Sequence, residues 1–429
     1  MDQASFLGLR ALGHAPVIQW TWIYQRDVDL DGLRRFHHNL GRGLLGRRIE
    51  RSPLPFGRHR WITCRGPADI AIASESRSRR DVQAWLDEQA ALPIDPEHGP
   101  SWHLALQPLI EGGAVVTLVA SHTVVDGVGL VIAVTEAANG INRDLAYPAA
   151  TSRTKRQALL EDSRVLVRDV PVMMKSLLAT VKLAGKNRAD IASKKPRSTE
   201  PARTVIVPAV TVHVDIGQWD ERAASLRGTA NSLSLGFAAR LGFRLNWVAE
   251  DGTVTISVPV NQRLPEDNRG NALTAVTLIA DPRTVTTDLT GVRAGLKMAL
   301  TDLADAPNEL MAALPLTPLI SRRVVRRIEG LVLESKVIGS SHVGDLDPAA
   351  NRPDGTDADS FAARMVEHIT STHLRRVGGI FFPLVAGRLH GKVWISIGYC
   401  NADGTTTREQ LKEVAYGALA DFGMAGTVE

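Results

Sequence analysis

Cysteine is scarce in this chain. Cys64 and Cys400 are the only two among 429 residues, and neither belongs to a C-x-x-C pair. This argues against a disulfide framework or a zinc site and fits a reducing cytosol. No run of 18 or more apolar residues occurs, so no transmembrane helix is expected. The opening MDQASFLGLRALGHAP lacks the charged start and long apolar core of a secretory signal, so a cytoplasmic location is expected. H-E-x-x-H and Walker loops are absent. One G-x-G-x-x-G runs from Gly41 to Gly46, but it follows a helical pattern rather than a strand. It reads as a glycine-rich loop, not a dinucleotide fingerprint. Net positive charge is confined to one segment: residues 151–200 carry 12 Lys/Arg against 5 Asp/Glu, a net of +7, while the whole chain is +4. A nucleic-acid-binding domain would instead show a basic face with interleaved aromatics. The local excess suits a connector in solvent or one that touches anionic lipid.

What is present centres on Ala114–Ala138. An apolar β-like run ends at Ser121-His122, Asp126-Gly127 follows, and a helical pattern opens. The spacing is H-x-x-x-D-G. A turn after His122 must bring Asp126 back toward it, because strand side chains alternate faces. A general base needs a fixed orientation, which a nearby structural ion pair can supply through the backbone. Gly127 would allow close approach of backbone or ligand. The helix N-terminus adds positive potential, useful to a phosphate-bearing thioester or a developing oxyanion. The same letters also fit a plain helix-capping turn beside a half-buried histidine.

The chain divides into 1–148, a basic linker 149–202, and 203–429, with strands and helices mixed in both halves, as in a layered α/β protein. Helices are expected over 29–40, 81–92, 218–226, 232–248 and 408–422. Strands are expected over 103–110, 114–120, 204–216, 253–260, 272–280, 378–386 and 392–399. In the linker, 159–184 carries an apolar face, and Pro171 should break or kink it.

Several segments together resemble the thioester-dependent acyltransferases of chloramphenicol-acetyltransferase-like fold. The branch they are most similar to is the bacterial wax ester synthase/diacylglycerol acyltransferase family. The segments are FLGLRALGHAPV near the start, Gly99-Pro-Ser-Trp102, SHTVVDG, Thr229-Ala-Asn231-Ser232, and PVNQR with Gly270-Asn271. They lie in that family's order and cover nearly the whole chain. Ser121 stands where the family has the first of two histidines, Ser101 where leucine is usual, and Ser232 in place of the aspartate of the family's Asn-Asp.

The resemblance implies two similar α/β domains with mixed sheets and helices, and a solvent channel between them with His122 midway. His122 would deprotonate an acceptor hydroxyl, which attacks the thioester without an acyl-enzyme or a metal or redox cofactor. Arg263 would pair with Asp126 across the fold. Ser121, Asn231, Asn271, Ser341 and His342 are the further channel candidates, although Asn231 could simply cap a helix and Asn271 turn the chain. The implied reaction joins a fatty or polyketide acyl group from acyl-CoA to an alcohol. A carrier-protein-dependent, condensation-like enzyme acting in trans is the alternative, and a non-catalytic lipid-binding or scaffold member is a second. Peripheral contact with the inner membrane face through 151–200 is a further expectation.

Overall fold

The apolar run 114–121 has every residue buried, because it lies between two other strands in the first sheet. The computed structural model describes residues 1–12, 15–143, 145–186, 203–305, 314–322, 325, 336–367 and 369–429. The first half holds α1 (Asp2–Leu12), β1 (Val17–Tyr24), α2 (Leu30–Leu40), β2 (Arg47–Glu50), β3 (Arg60–Thr63) and β4 (Ala71–Ile72). It continues with α3 (Val82–Ala91), β5 (Trp102–Pro108), β6 (Ala114–Ser121) and α4 (Gly127–Ala138). The linker helix α5 (Lys155–Lys186) comes next. The second half holds β7 (Thr204–Val205), β8 (Ala209–Asp215), α6 (Ile216–Ser225), α7 (Ala230–Arg244), β9 (Val254–Asn261), β10 (Leu273–Ala280) and α8 (Thr290–Asp305). A 3-10 turn (Leu314–Leu319) precedes β11 (Val337–Asp345), β12 (Ser360–Val366), β13 (Ile369–Thr370), α9 (Ser371–Val377) and β14 (Gly379–Phe381). Last are β15 (Leu384–Leu389), β16 (Lys392–Asn401), α10 (Arg408–Asp421) and β17 (Thr427–Val428).

The expected α/β architecture is present, with two sheets and a core under each. The first sheet runs β12-β1-β6-β5-β4, and the second β10-β9-β11-β15-β16-β8-β17 with β14 beside β16. The aromatic-rich first core gathers Trp20, Trp22, Phe36 and Trp102, and the second gathers Trp219, Phe237 and Phe422. Asp29 caps α2 by accepting from the Asp31 amide, as a short carboxylate before a helix does. Gly41–Gly46 is a packed turn, as its helical context implies: side chains at Gly41 or Gly46 would strike backbone oxygens of Arg65 and Gly41.

Four features depart from the sequence reading. First, β12 comes from the second half yet pairs antiparallel with β1 at the edge of the first sheet. Leu346, Ala350 and Phe361 join the first core with it, so the halves are laced together. Second, α5 continues through Pro171. The residues on either side are anchored on one face: Ala158, Asp162, Met173 and Ser176 are all buried. Asp162 accepts from Ser52 Oγ at 2.5 Å, and Asp169 pairs with Arg58. Third, Pro208 and Pro383 split two expected strands, since proline has no amide for the ladder. Fourth, β11 is a strand that the expected set does not include, and it pairs in parallel with β9 through 337–339 and with β15 from Ser340 on. The end of the linker, 187–202, lies outside the described residues. Among the described residues no helix is long and apolar enough to cross a membrane.

Candidate active site

Where β6 ends, Ser121 closes the turn with its own atoms. Its hydroxyl accepts from the Thr123 amide at 3.2 Å and its carbonyl accepts from the Val124 amide at 3.0 Å. Ser121 is therefore buried in the turn rather than presented to a channel. His122 follows, half-buried. Its N–H donates to the Pro16 carbonyl at 3.0 Å, and its carbonyl accepts from Asn271 Nδ2 at 3.1 Å. Among the described residues nothing hydrogen-bonds its ring. The backbone is held from two sides while the imidazole is left available. Asn271 acts here as a side-chain clasp, reaching across from the second half.

Asp126 caps α4, with Oδ1 accepting from the Gly129 amide at 2.7 Å. Its Oδ2 accepts from Arg263 Nη2 at 2.9 Å and from the Ala272 amide at 2.7 Å. Both charged side chains are only 2% exposed. The guanidinium also donates to the carbonyls of Asp267 and Arg269, at 3.0 and 2.7 Å, and to that of Gly270 at 3.2 Å. Such extra bonds are what a buried ion pair requires to offset desolvation. The carboxylate is committed to backbone and arginine, so the pair fixes the turn across the two halves.

Two further residues hold the same turn, and no local pattern in the sequence marks either. Asp2 of α1 accepts from the amides of Gly270 and Asn271 at 2.9 and 2.7 Å. Arg47, wholly buried, donates to the Val124 carbonyl at 2.6 Å and to that of Asn268, with Trp61 against its guanidinium. A lone charge in a sequence looks like surface until its partners are known. Gly129 is a third. A side chain there would crowd Val125, Arg263 and Asp126 at 2.9–3.1 Å. Gly127 has looser surroundings: a Cβ there would meet only Val343, at 3.7 Å. The sequence signal for Gly129 was the second glycine of D-G-V-G.

Strand parity decides the remaining candidates. Val343 packs on the first core, and so does Val385 on the neighbouring β15. Ser341 pairs with Val385 and shares that face, which turns toward α4. His342 pairs with Ala386, a residue of the second core, and so points to the opposite, helix-covered face. Its Nδ1 accepts from the Gly344 amide at 3.1 Å, and its Nε2 is buried with no hydrogen-bond partner among the described residues. Burial, and then nearby Arg388, push its pKa down, so it is neutral near pH 7. Among the described residues no hydrogen bond joins His342 to the His122 turn. Nor does one reach that turn from Asn231. That residue is exposed in the first turn of α7, where Thr229 rather than Asn231 is the cap and Ser232 completes the capping box. Ser232 at that position is thus a helix-start residue. The neighbours of this helix start, Trp219 and Leu289, belong to the second core. No cluster of three or more metal-ligating side chains occurs among the described residues.

No family model and no curated protein matches the chain. Solved structures do match over almost its full length. Polyketide synthase associated protein 5 from Mycobacterium tuberculosis is 15% identical, with a TM-score of 0.57 over 97% of each chain. The trichothecene 15-O-acetyltransferase TRI3 from Fusarium sporotrichioides is 12% identical, with a TM-score of 0.61 over 98% of this chain and 93% of that one. The first condensation domain of the CDA synthetase is 16% identical, with a TM-score of 0.54 over 99% and 96%. At such identities the likeness is one of fold, and the fold is the two-domain, chloramphenicol-acetyltransferase-like arrangement.

Proposed function

We propose that this protein transfers an acyl group from a thioester to an acceptor, with His122 as general base. The observation that carries the reading is the His122 turn itself. Its backbone is fixed by Pro16, Asn271 and the Asp126–Arg263 pair, while among the described residues nothing hydrogen-bonds its ring. A base that must act on a substrate proton needs that combination of fixed position and unengaged nitrogen. His122 takes the proton of the acceptor hydroxyl. The oxygen attacks the thioester carbonyl, and the tetrahedral oxyanion collapses with cleavage of the C–S bond. The departing thiolate takes the proton back from the imidazolium. The positive end of α4 lies next in the chain and favours the transient negative charge.

The finer reading is esterification of an alcohol by a fatty or polyketide acyl-CoA, of the wax ester synthase/diacylglycerol acyltransferase kind. The order of motifs along the chain supports it. The carrier-protein alternative has its own support, in the shared fold of a condensation domain and of a polyketide synthase associated protein. Incubating the protein with mixed acyl-CoAs and alcohols, followed by mass analysis of extracts, tests the first. The same acyl groups on a carrier protein test the second. No ester or amide product from either donor would leave acyl transfer without support.

Membrane docking through α5 belongs to the same reading. Leu160, Val167, Val170, Met174 and Leu177 stand exposed on the side of the helix away from its buried anchors, Val167 at 71%. Helical spacing places Arg164, Arg168 and Lys175 along one edge of that stripe. An exposed apolar stripe edged with cations fits the interface of an anionic bilayer, where lipid substrates reside.

A further inference from the structure

Beside α1 lies a cavity of about 440 Å³. Its wall carries Arg10 from α1, Arg51 and Phe56 from the connection between β2 and β3, and Arg322 beyond the 3-10 turn. We infer that this cavity binds a phosphate group borne by the thioester donor, held by Arg10, Arg51 and Arg322. The inference rests on the acyl-transfer reading only for what carries the phosphate.

Three guanidiniums around one hollow repel one another, and among the described residues their one ion-pair partner is Glu97, 3.5 Å from Arg51. Contrast Arg47 and Arg263, whose donors are taken up by carbonyls and a carboxylate. Arginines with unused forks around a cavity suit a multiply charged oxyanion, because each fork can donate two parallel hydrogen bonds to phosphate oxygens. The field of the cluster is felt by its neighbours. The His59 ring on the same wall has its pKa pulled to about 4, first by burial and then by Arg10 and Arg51. Apolar surface completes the site: Phe56 and Leu319 on the wall are 51% and 49% exposed. A nucleotide base or a pantetheine arm could lie against them once the phosphate is anchored.

Position ties the cavity to the reaction. Gln3 lines the cavity, and the preceding residue, Asp2, clasps Gly270 and Asn271, which in turn holds the His122 carbonyl. The segment that follows α1 leads to Pro16, whose carbonyl accepts from the His122 amide. A donor anchored beside α1 therefore sits next to the segment that positions the base. Phosphate is common to coenzyme A and to a carrier's phosphopantetheine arm, so the site serves either donor.

The test uses titration calorimetry on the full chain with four probes: pyrophosphate, coenzyme A, phosphopantetheine, and pantetheine without phosphate. The variants are the double Arg10→Gln/Arg51→Gln, the single Arg322→Gln at an exposed position, and Arg51→Lys. Arg283→Gln, an exposed arginine paired with Asp281, is the control. The expected result is that pyrophosphate and coenzyme A bind about tenfold or more weakly to the double variant. Arg322→Gln should lose a smaller factor, Arg51→Lys should retain part of the affinity, and Arg283→Gln should match the parent. Pantetheine should be indifferent to all of them. Pyrophosphate binding that is absent, or equal in parent and variants, overturns the site whatever the donor. If pyrophosphate binding depends on the arginines but neither coenzyme A nor phosphopantetheine competes for it, the donor assignment is overturned, while the acyl-transfer reading stands or falls on the product assay with acyl-CoA and acyl-carrier donors.

Discussion

The His122 turn and the surface formed by α5 and the arginine cavity treat charge in opposite ways. Around the turn, Arg47, Arg263, Asp2 and Asp126 are tied to backbone or to each other, and the two members of the central pair are 2% exposed. On the other side, Arg10, Arg51 and Arg322 face a cavity, and Arg164 and Lys175 of α5 have no ion-pair partner among the described residues. The difference teaches what each region is for. Internally satisfied charges fix geometry, and low dielectric makes any loss there costly. Unsatisfied charges at the surface keep their donors for a ligand or a membrane, and they respond to salt. The turn should therefore be sensitive to mutation, and the open surface to ionic strength.

The sharpest way to break the comparison is at its centre. His122→Ala should lower turnover by about 10²–10⁴-fold while the melting temperature stays close to that of the parent, because among the described residues nothing hydrogen-bonds the ring. Kinetics with the assayed acyl donor, read beside a thermal melt, check this. A well-folded His122→Ala protein with full turnover would remove the base.

Asp126→Asn should instead act on stability. It leaves Arg263 buried without its counter-charge, a loss of about 3–5 kcal/mol. Denaturant unfolding should show it in 0.1 M and in 1 M salt alike, since a buried pair is poorly screened. An effect that vanished in salt would place the pair with the open surface.

Acid should find the closed region through His103 of β5. Burial alone holds its pKa down at about 4, and its Nε2 has no hydrogen-bond partner among the described residues. A histidine whose folded pKa lies below its unfolded value stabilises the fold above about pH 6.5. That contribution is lost as the pH falls from there through about 4, up to about 3 kcal/mol before solvent relaxation reduces it. Stability profiles of the parent and His103→Leu between pH 7 and 4 should diverge, the variant being flatter. Parallel profiles would mean the ring is charged without penalty.

The smallest effect is at α5. Cosedimentation with anionic vesicles should exceed that with neutral ones, and Arg164→Gln/Lys175→Gln should reduce it by about 1 kcal/mol per cation at low salt. Equal, salt-insensitive recovery on both vesicles would leave α5 a connector.

Local pattern carried much of the site. The buried run of β6, the turn after it and the opening of α4 are contiguous, and Asp126 as a helix cap is a matter of neighbouring residues. The Asp126–Arg263 contact spans 137 residues and came from motif resemblance, not from periodicity. Asp2 and Arg47 offered no signal, because a solitary charge carries no spacing. Pro171 misled because a proline's missing amide is a local penalty, and the buried anchors on both sides of it outweigh one lost bond.

The sequence by itself determined the elements whose residues are neighbours in the chain: most helices and their caps, the central strands, and the histidine at a strand end. Non-local packing alone settles that β12 crosses into the first sheet, that Ser341 lies on the face of the first core while His342 lies on that of the second, and that three distant arginines share one cavity. The physical reason is the same in each case. Strand partners are chosen by non-local packing, and with a side-chain period of two, a register shift of one residue exchanges the faces of a strand.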